Sequence, residues 1–246
     1  MKRAGAARKP GRTQRTDGEA TYNRILDVAG GLFASHGFGE TSSKTIALQA
    51  GVDLASINYH FGSRNGLYRA ALVEAHRRLV SVETLIELDA SGLSARKQLK
   101  VLIGGLVASA TTNKGWQARL LSREFLAPSS HLRVLQETEI PAKLPFVLAI
   151  LSAISEIPVT DPALLRCLVS VMAPCATLLI LAPGLSPFAD QLHETPPDVL
   201  VDHLYSFAIG GLEAMKDKHH AEQGNMEGRQ DDIARAQGAI LRRGLT

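Results

Sequence analysis

The run Thr41-Ser42-Ser43-Lys44-Thr45-Ile46-Ala47-Leu48-Gln49-Ala50-Gly51-Val52-Asp53-Leu54-Ala55-Ser56-Ile57-Asn58-Tyr59-His60 decides the reading of this 246-residue chain. Ser42 has the side chain of a helix N-cap, and Ile46, Ala47 and Ala50 form a short apolar face. Gly51 supplies a left-handed stop, and Asp53 can cap a second short helix from Leu54 to His60. Two short helices joined by a tight glycine turn are a helix-turn-helix unit. Val52 and Ile57 bury the angle between the helices, and Ala47 lets them approach. Leu54, Ala55, Ser56, Asn58, Tyr59 and His60 are left on the outer face, with groups that can hydrogen-bond to bases and phosphates.

Working outward, Thr16 and Glu19 have the spacing of a capping box, and Ile25, Val28, Ala29, Leu32 and Phe33 follow at helical intervals. A helix is expected from Asp17 to His36, stopped by Gly37. Ser63 caps a further helix carrying Leu67, Ala71, Leu72, Ala75, Leu79 and Val82 inward. Later helices are expected at about 94–112, 115–126, 129–155, 161–182 and 196–216, separated by Gly92, Pro128, Pro158, Pro183-Gly184 and Pro196-Pro197. Pro141 and Pro145 are placed to kink or split the longest. Beyond Met215 the chain turns polar and is read as a fraying tail, His219-His220 included.

Composition agrees with an all-helical globular protein: 45% apolar residues, 5% aromatic and 21% charged, with Leu and Ala prominent. Charge is uneven. Residues 1–80 carry 12 Lys/Arg against 6 Asp/Glu, whereas residues 81–215 carry 9 against 13. A basic end on an acidic body points to a polyanion partner. The first fifteen residues hold Lys2, Arg3, Arg8, Lys9, Arg12 and Arg15 without an acid, and read as a flexible basic arm. The organisation expected is an arm at 1–15, a helix-turn-helix domain at 16–80, a second helical domain at 81–216 and a polar tail at 217–246.

Several function classes find no support. The two cysteines, Cys167 and Cys175, would lie about 12 Å apart on one helix, too far to bridge. No His or Cys spacing suits a metal, and no cofactor motif appears. Neither a phosphate-cradling glycine loop nor a nucleophile elbow is present, so an enzyme is not expected. The uncharged stretch Cys167–Leu185 approaches membrane-spanning length. It stands alone, contains Pro174, Pro183 and Gly184, and is read as a helix buried on several sides rather than a span.

Ile46-Ala47, Ala50-Gly51-Val52, Ile57-Asn58-Tyr59-His60-Phe61-Gly62-Ser63-Arg64 and Leu67-Tyr68 together resemble the DNA-binding domain of TetR-family repressors. Asn58-Tyr59-His60-Phe61 and the later Leu121-Ser122-Arg123-Glu124-Phe125-Leu126-Ala127-Pro128-Ser129 resemble the CecR-like branch. The resemblance implies an all-α cytoplasmic, nucleoid-associated homodimer, with a C-terminal bundle that binds a small effector and pairs two helices across the two-fold, here near 161–182 and 196–216. It implies phosphate contacts from Ser42, Ser43, Lys44, Tyr59, His60 and Arg64, and base contacts from Leu54, Ala55, Ser56 and Asn58. Asn58 stands where many members have Tyr; it can pair with adenine or touch only phosphate and water. Leu102, Leu106, Trp116, Leu120, Phe125, Phe146 and Leu178 can line an effector cavity or simply fill a core, and Arg123 can meet an anionic group or lie on the surface. The function expected is a ligand-released repressor on a pseudo-palindromic operator. A helical adaptor whose basic end binds any polyanion is the alternative from another class.

Overall fold

The structure is a computed structural model describing residues 13–111, 115–181 and 186–243, with side chains described for 17–111, 115–181 and 186–224. Residues 1–12, which hold most of the expected basic arm, lie outside the described residues. Every regular element among the described residues is helical: α1 (Thr13–Glu40), α2 (Ser43–Ala50), α3 (Leu54–Phe61), α4 (Arg64–Arg77), α5 (Val82–Ala90), α6 (Ala95–Thr111), α7 (Trp116–Leu126), α8 (Ile140–Ser155), α9 (Pro162–Ile180), α10 (Pro187–Glu194) and α11 (Pro197–Arg243). A 3-10 turn at Ser130–Leu132 and a π-helical turn at Leu135–Glu139 lead into α8.

The caps read from the sequence form the helix-turn-helix. Ser42 accepts the Thr45 backbone N–H and exchanges a 2.8 Å hydrogen bond with the Thr45 hydroxyl. Gly51 takes φ 63°, ψ 41°, and its N–H returns to the last turn of α2. Asp53 caps α3 and Ser63 caps α4.

Other boundaries differ. Helix α1 begins at Thr13, so Thr16 lies inside it rather than at its N-cap; Gly37, at φ 81°, ψ 170°, interrupts it where a stop was expected. Helix α4 ends at Arg77, and α5 starts afresh behind Ser81, whose hydroxyl accepts the Thr84 N–H. The π-helical turn ends at Glu139, two residues before Pro141, which stands in the first turn of α8, and Pro145 is carried inside that helix.

The last helix does not end near Met215 but runs to Arg243. Its continuation is docked on the acidic α8–α9 connection. Lys216 pairs with Glu156, His220 Nε2 lies 3.5 Å from Glu156, and His219 Nδ1 lies 3.8 Å from Asp161. Lys216, His219 and His220 recur at three- and four-residue spacing toward those carboxylates, with His219 mostly buried there and His220 exposed beside Glu156.

Two cores form. The first joins α1–α4 to Leu120 and Leu121 of α7 and to Leu135. At its centre Phe33 is fully buried and meets Tyr68 edge-on at 4.8 Å. The Trp116 ring closes over Gly30, where a Cβ would come within 2.4 Å of it, so only glycine admits this approach of α7 to α1. Thus the helix-turn-helix domain, which the chain order ends near residue 80, takes part of its core from α7.

The second core is built from α5, α6, α8, α9 and α11. Both cysteines lie there, buried and free, and burial pushes the Cys175 thiol up to about 11. Ser130–Ser155 and α9 are each long and apolar enough to cross a membrane by length and composition; here both contribute side chains to this core.

Candidate DNA interface and effector cavity

Helix α3 presents its outer face as expected. Leu54, Ala55, Asn58 and Tyr59 are exposed, Tyr59 at 85%, while Ile57 is the buried anchor. His60 is half-buried and sits edge-on to both Tyr59 and Tyr22. Tyr22 stacks on Phe61 with ring centroids 4.5 Å apart, tying α1 to the end of α3. Ser42 and Lys44 are exposed at the start of α2, and Ser43 is half-buried.

Two expected contact residues are already engaged. The Arg64 guanidinium donates to the Thr41 carbonyl at 2.9 Å and lies 4.2 Å from the centre of the Phe38 ring, so it holds α4 to the α1–α2 junction. The Ser56 hydroxyl donates to Asp53 Oδ1 at 2.6 Å, and the same oxygen accepts the Ser56 N–H at 2.7 Å. These bonds hold the Asp53 carboxyl below the usual range. An exposed Arg24 on α1 and Leu48 at the end of α2, 81% exposed, border the same surface beside Gly51, Val52 and Ser56. Sequence reading missed both. Arg24 lies on α1 one turn beyond Thr21, which also borders the depression.

An apolar cavity of about 440 Å³ lies under the C-terminal end of α4. Its wall comes from His76, Leu79 and Val80, from Leu102 and Leu106 of α6, from Lys143, Leu144 and Val147 of α8, and from Leu168, Met172 and Ala173 of α9. Of the residues expected at a ligand cavity, Leu102 and Leu106 lie on this wall. Others are elsewhere. Trp116 and Leu120 belong to the first core, Phe125 is exposed, and Phe146 and Leu178 pack in the second core off the cavity wall. The Arg123 guanidinium lies against Gly37 on α1. Of the two readings open for the apolar residues of α7, cavity lining or core filling, Trp116 and Leu120 take the second, in the core shared with α1 and α4.

The polar groups of the cavity come from helix ends 67 residues apart in the chain. Lys143 Nζ donates to His76 Nδ1 at 2.8 Å and to the His76 carbonyl at 3.4 Å. It also lies 3.0 Å from Glu139 Oε2, and Glu139 Oε1 accepts from Arg77 at 3.0 Å. Burial, with Lys143 beside it, pushes the His76 imidazole down to about 4 against the pull of Glu139, so the ring is neutral. Burial lowers the Lys143 ammonium, opposed by Glu139. Burial would raise Glu139, but Lys143 and Arg77 outweigh it and hold the carboxyl below the usual range.

A second junction joins α4 to α7. The Tyr68 hydroxyl donates to Glu124 Oε2 at 2.7 Å, both residues being buried. Glu124 Oε1 accepts the Ser129 N–H and hydroxyl at 2.7 and 2.5 Å. Burial and the Glu124 carboxylate push the Tyr68 phenol well above its usual range. Among the described residues no group of three His, Cys, Asp or Glu is placed to hold a metal ion.

The model of the bacterial regulatory proteins of the tetR family matches residues 25–71, which span α1 to the middle of α4. The model of the C-terminal domain of the HTH-type transcriptional dual regulator CecR matches residues 95–212. The chain belongs to the TetR family of transcriptional regulators. Among solved structures, a TetR-like transcriptional regulator from Rhodococcus sp. RHA1 is 21% identical, with a TM-score of 0.57 over 78% of this chain and 95% of that one. The fatty acid degradation regulator FadR from Bacillus halodurans is 15% identical, with a TM-score of 0.62 over 77% and 98%. The regulator FadR from Bacillus subtilis in complex with stearoyl-CoA is 16% identical, with a TM-score of 0.59 over 77% and 98%. These likenesses extend the shared fold across both domains. No curated protein sequence matches the chain significantly.

Family membership makes this TetR protein a DNA-binding transcriptional regulator with an N-terminal helix-turn-helix and a helical C-terminal domain. Between regulator and adaptor it decides for the regulator. Members of the family are soluble cytoplasmic regulators and generally not enzymes.

Proposed function

We propose that the protein is a dimeric repressor whose hold on a pseudo-palindromic operator is released when a small molecule fills the cavity under α4. The observation that carries this reading is the shared wall. His76, Leu79 and Val80, at and just beyond the end of α4, line the cavity, while the start of α4 packs on the recognition helix α3. A ligand that fits better when α4 is displaced must move α3 with it, and the two sites are then coupled by about 1–3 kcal/mol.

The second copy covers the bare face of α9 and α11. Arg166 is the only charged residue of α9, yet Leu165 and Val169 are exposed, as are Phe207 and Met215 of α11. A shallow groove of about 290 Å³ between Cys167, Ser170, Phe207, Gly211 and Met215 offers a seat for a partner side chain. Pairing across this face sets two α3 helices about 34–36 Å apart, in successive major grooves of the operator. The arm at 1–15 adds phosphate contacts and, with them, salt dependence.

On the operator, Lys44, Tyr59 and Arg24 reach phosphates, while Leu54, Ala55, Ser56 and Asn58 read bases. The Ser56 hydroxyl proton is committed to Asp53, so Ser56 meets DNA with lone pairs only. The donors in the major groove are the adenine and cytosine amino groups, and phosphates offer none. Ser56 therefore selects A or C, and Asn58 selects A.

The test is a compound screen by thermal shift followed by operator titration. A compound that stabilises the protein through the cavity should weaken operator binding about 5–150-fold. A cavity-bound compound that leaves operator affinity unchanged removes the release mechanism.

A further inference from the structure

We infer that the cavity under α4 takes an amphipathic acid: an apolar body with one carboxylate head seated at Lys143. This rests on the cavity being the effector site and names the chemistry that site selects.

The wall is apolar except at one point. Lys143 is its only charged residue and His76 its only other polar side chain; no carboxylate lies on the wall. Lys143 is only 7% exposed, so its ammonium meets the cavity rather than bulk water. Behind the wall, Lys143 and Arg77 share the Glu139 carboxylate and Glu83 lies within electrostatic reach of both cations, so Lys143 is the one charge that faces the cavity itself. A cationic ligand would be repelled there. A neutral apolar ligand would displace water from the ammonium without replacing it, a desolvation cost with no return. An anionic head meets the one cation of the wall through charge-assisted hydrogen bonds. One point-charge ammonium suits a singly charged carboxylate; a dianionic phosphate calls for several donors or a guanidinium fork.

The head also has something to displace. Lys143 forms an ion pair with Glu139 Oε2 at 3.0 Å, while its hydrogen bonds go to His76, to the neutral ring nitrogen and, at 3.4 Å, to the carbonyl. Both acceptors belong to the last turn of α4. A carboxylate competes best for these two, since each is uncharged. Seating the head therefore breaks the Lys143–His76 tie between α8 and α4 and leaves the Glu139–Arg77 pair as the remaining tie at that end.

Calorimetry on the full chain with decanoate, decan-1-ol and decyltrimethylammonium tests the assignment. Decanoate is expected to bind at least about tenfold tighter than the alcohol, and the ammonium salt more weakly than either. Lys143→Met should erase the preference for decanoate while changing alcohol binding less than about twofold. The double variant Glu139→Gln/Lys143→Met, which removes the charge pair together, should behave the same and guards against misfolding from a stranded carboxylate. Equal or tighter binding of the alcohol or of the ammonium salt overturns the proposal but leaves the cavity as the effector site. So does undiminished decanoate affinity in both variants. If none of the three binds saturably, the effector reading of the cavity fails, and the proposal with it.

Discussion

Replacing Tyr68 by Phe removes one hydroxyl from the first core and leaves the ring packing against Phe33 in place. The hydroxyl donates to Glu124 Oε2 across the interface between α4 and α7, and Glu124 is 2% exposed. Glu124 Oε1 keeps its two bonds from Ser129, so the loss is confined to one oxygen of a buried carboxyl group. A hydrogen bond to a charged group contributes roughly 1.5–3 kcal/mol, and water does not readily replace it here. With about 2 kcal/mol lost, a chain of this size should melt about 4–8 °C lower. Differential scanning calorimetry at pH 7 measures this. Because the native state keeps the phenol protonated, the bond's contribution is present below the ordinary tyrosine pKa and is lost as pH rises above it. The deficit of the variant should therefore shrink in strongly alkaline buffer. A melting temperature within about 1 °C of wild type at pH 7 would refute the view that this bond fastens the helix-turn-helix domain to α7.

Further outcomes follow from the same geometry. His76 is neutral in the native state with its imidazole lowered from 6.5 to about 4, so its contribution is full above pH 6.5 and is lost as pH falls toward 4. At 1.36 kcal/mol per unit this amounts to about 3 kcal/mol, and His76→Gln should flatten urea-unfolding stability against pH over that window; an unchanged slope would contradict the burial of a neutral ring. Ser56→Ala should relax selection for A or C at one position of each half-site while lowering overall affinity less than about tenfold, read by selection from randomised duplexes; unchanged base preference would remove Ser56 from the reading face. Phe207→Glu places a charge on a side chain that is 73% exposed in the monomer and, in the proposed dimer, buried. Sedimentation should then show dimer dissociation raised by a factor of about ten or more, whereas an unaltered dimer would put the interface elsewhere.

The parts of the fold legible in the sequence are those set by neighbours within one turn. Ser42, Gly51, Asp53 and Ser63 each act on a backbone group three or four residues away, and each stands in the structure as it was read. Helices α5 and α10 escaped because they are short and their apolar residues fit a longer neighbouring pattern or none. The cavity escaped for a different reason. Lys143 looks like an ordinary polar residue between two prolines, and its meaning comes from His76 on a helix 67 positions earlier. Likewise Glu124 reads as one charge on an amphipathic helix until Tyr68 and Ser129 close around it. The long apolar residues of α7 could fill either core, and nothing local says which. Only the glycine at position 30, which admits the Trp116 ring, settles that they face α1.

If α3 reads sequence and a symmetric dimer presents it twice, the bound DNA must carry an inverted repeat. Selection from a randomised duplex pool with the purified chain at about physiological salt tests it most directly. Enrichment of a two-fold-symmetric motif with half-sites about one helical turn apart, or somewhat more, is expected, and its loss on Tyr59→Ala. Recovery of unenriched DNA that washes away with salt, unchanged by that substitution, would contradict it.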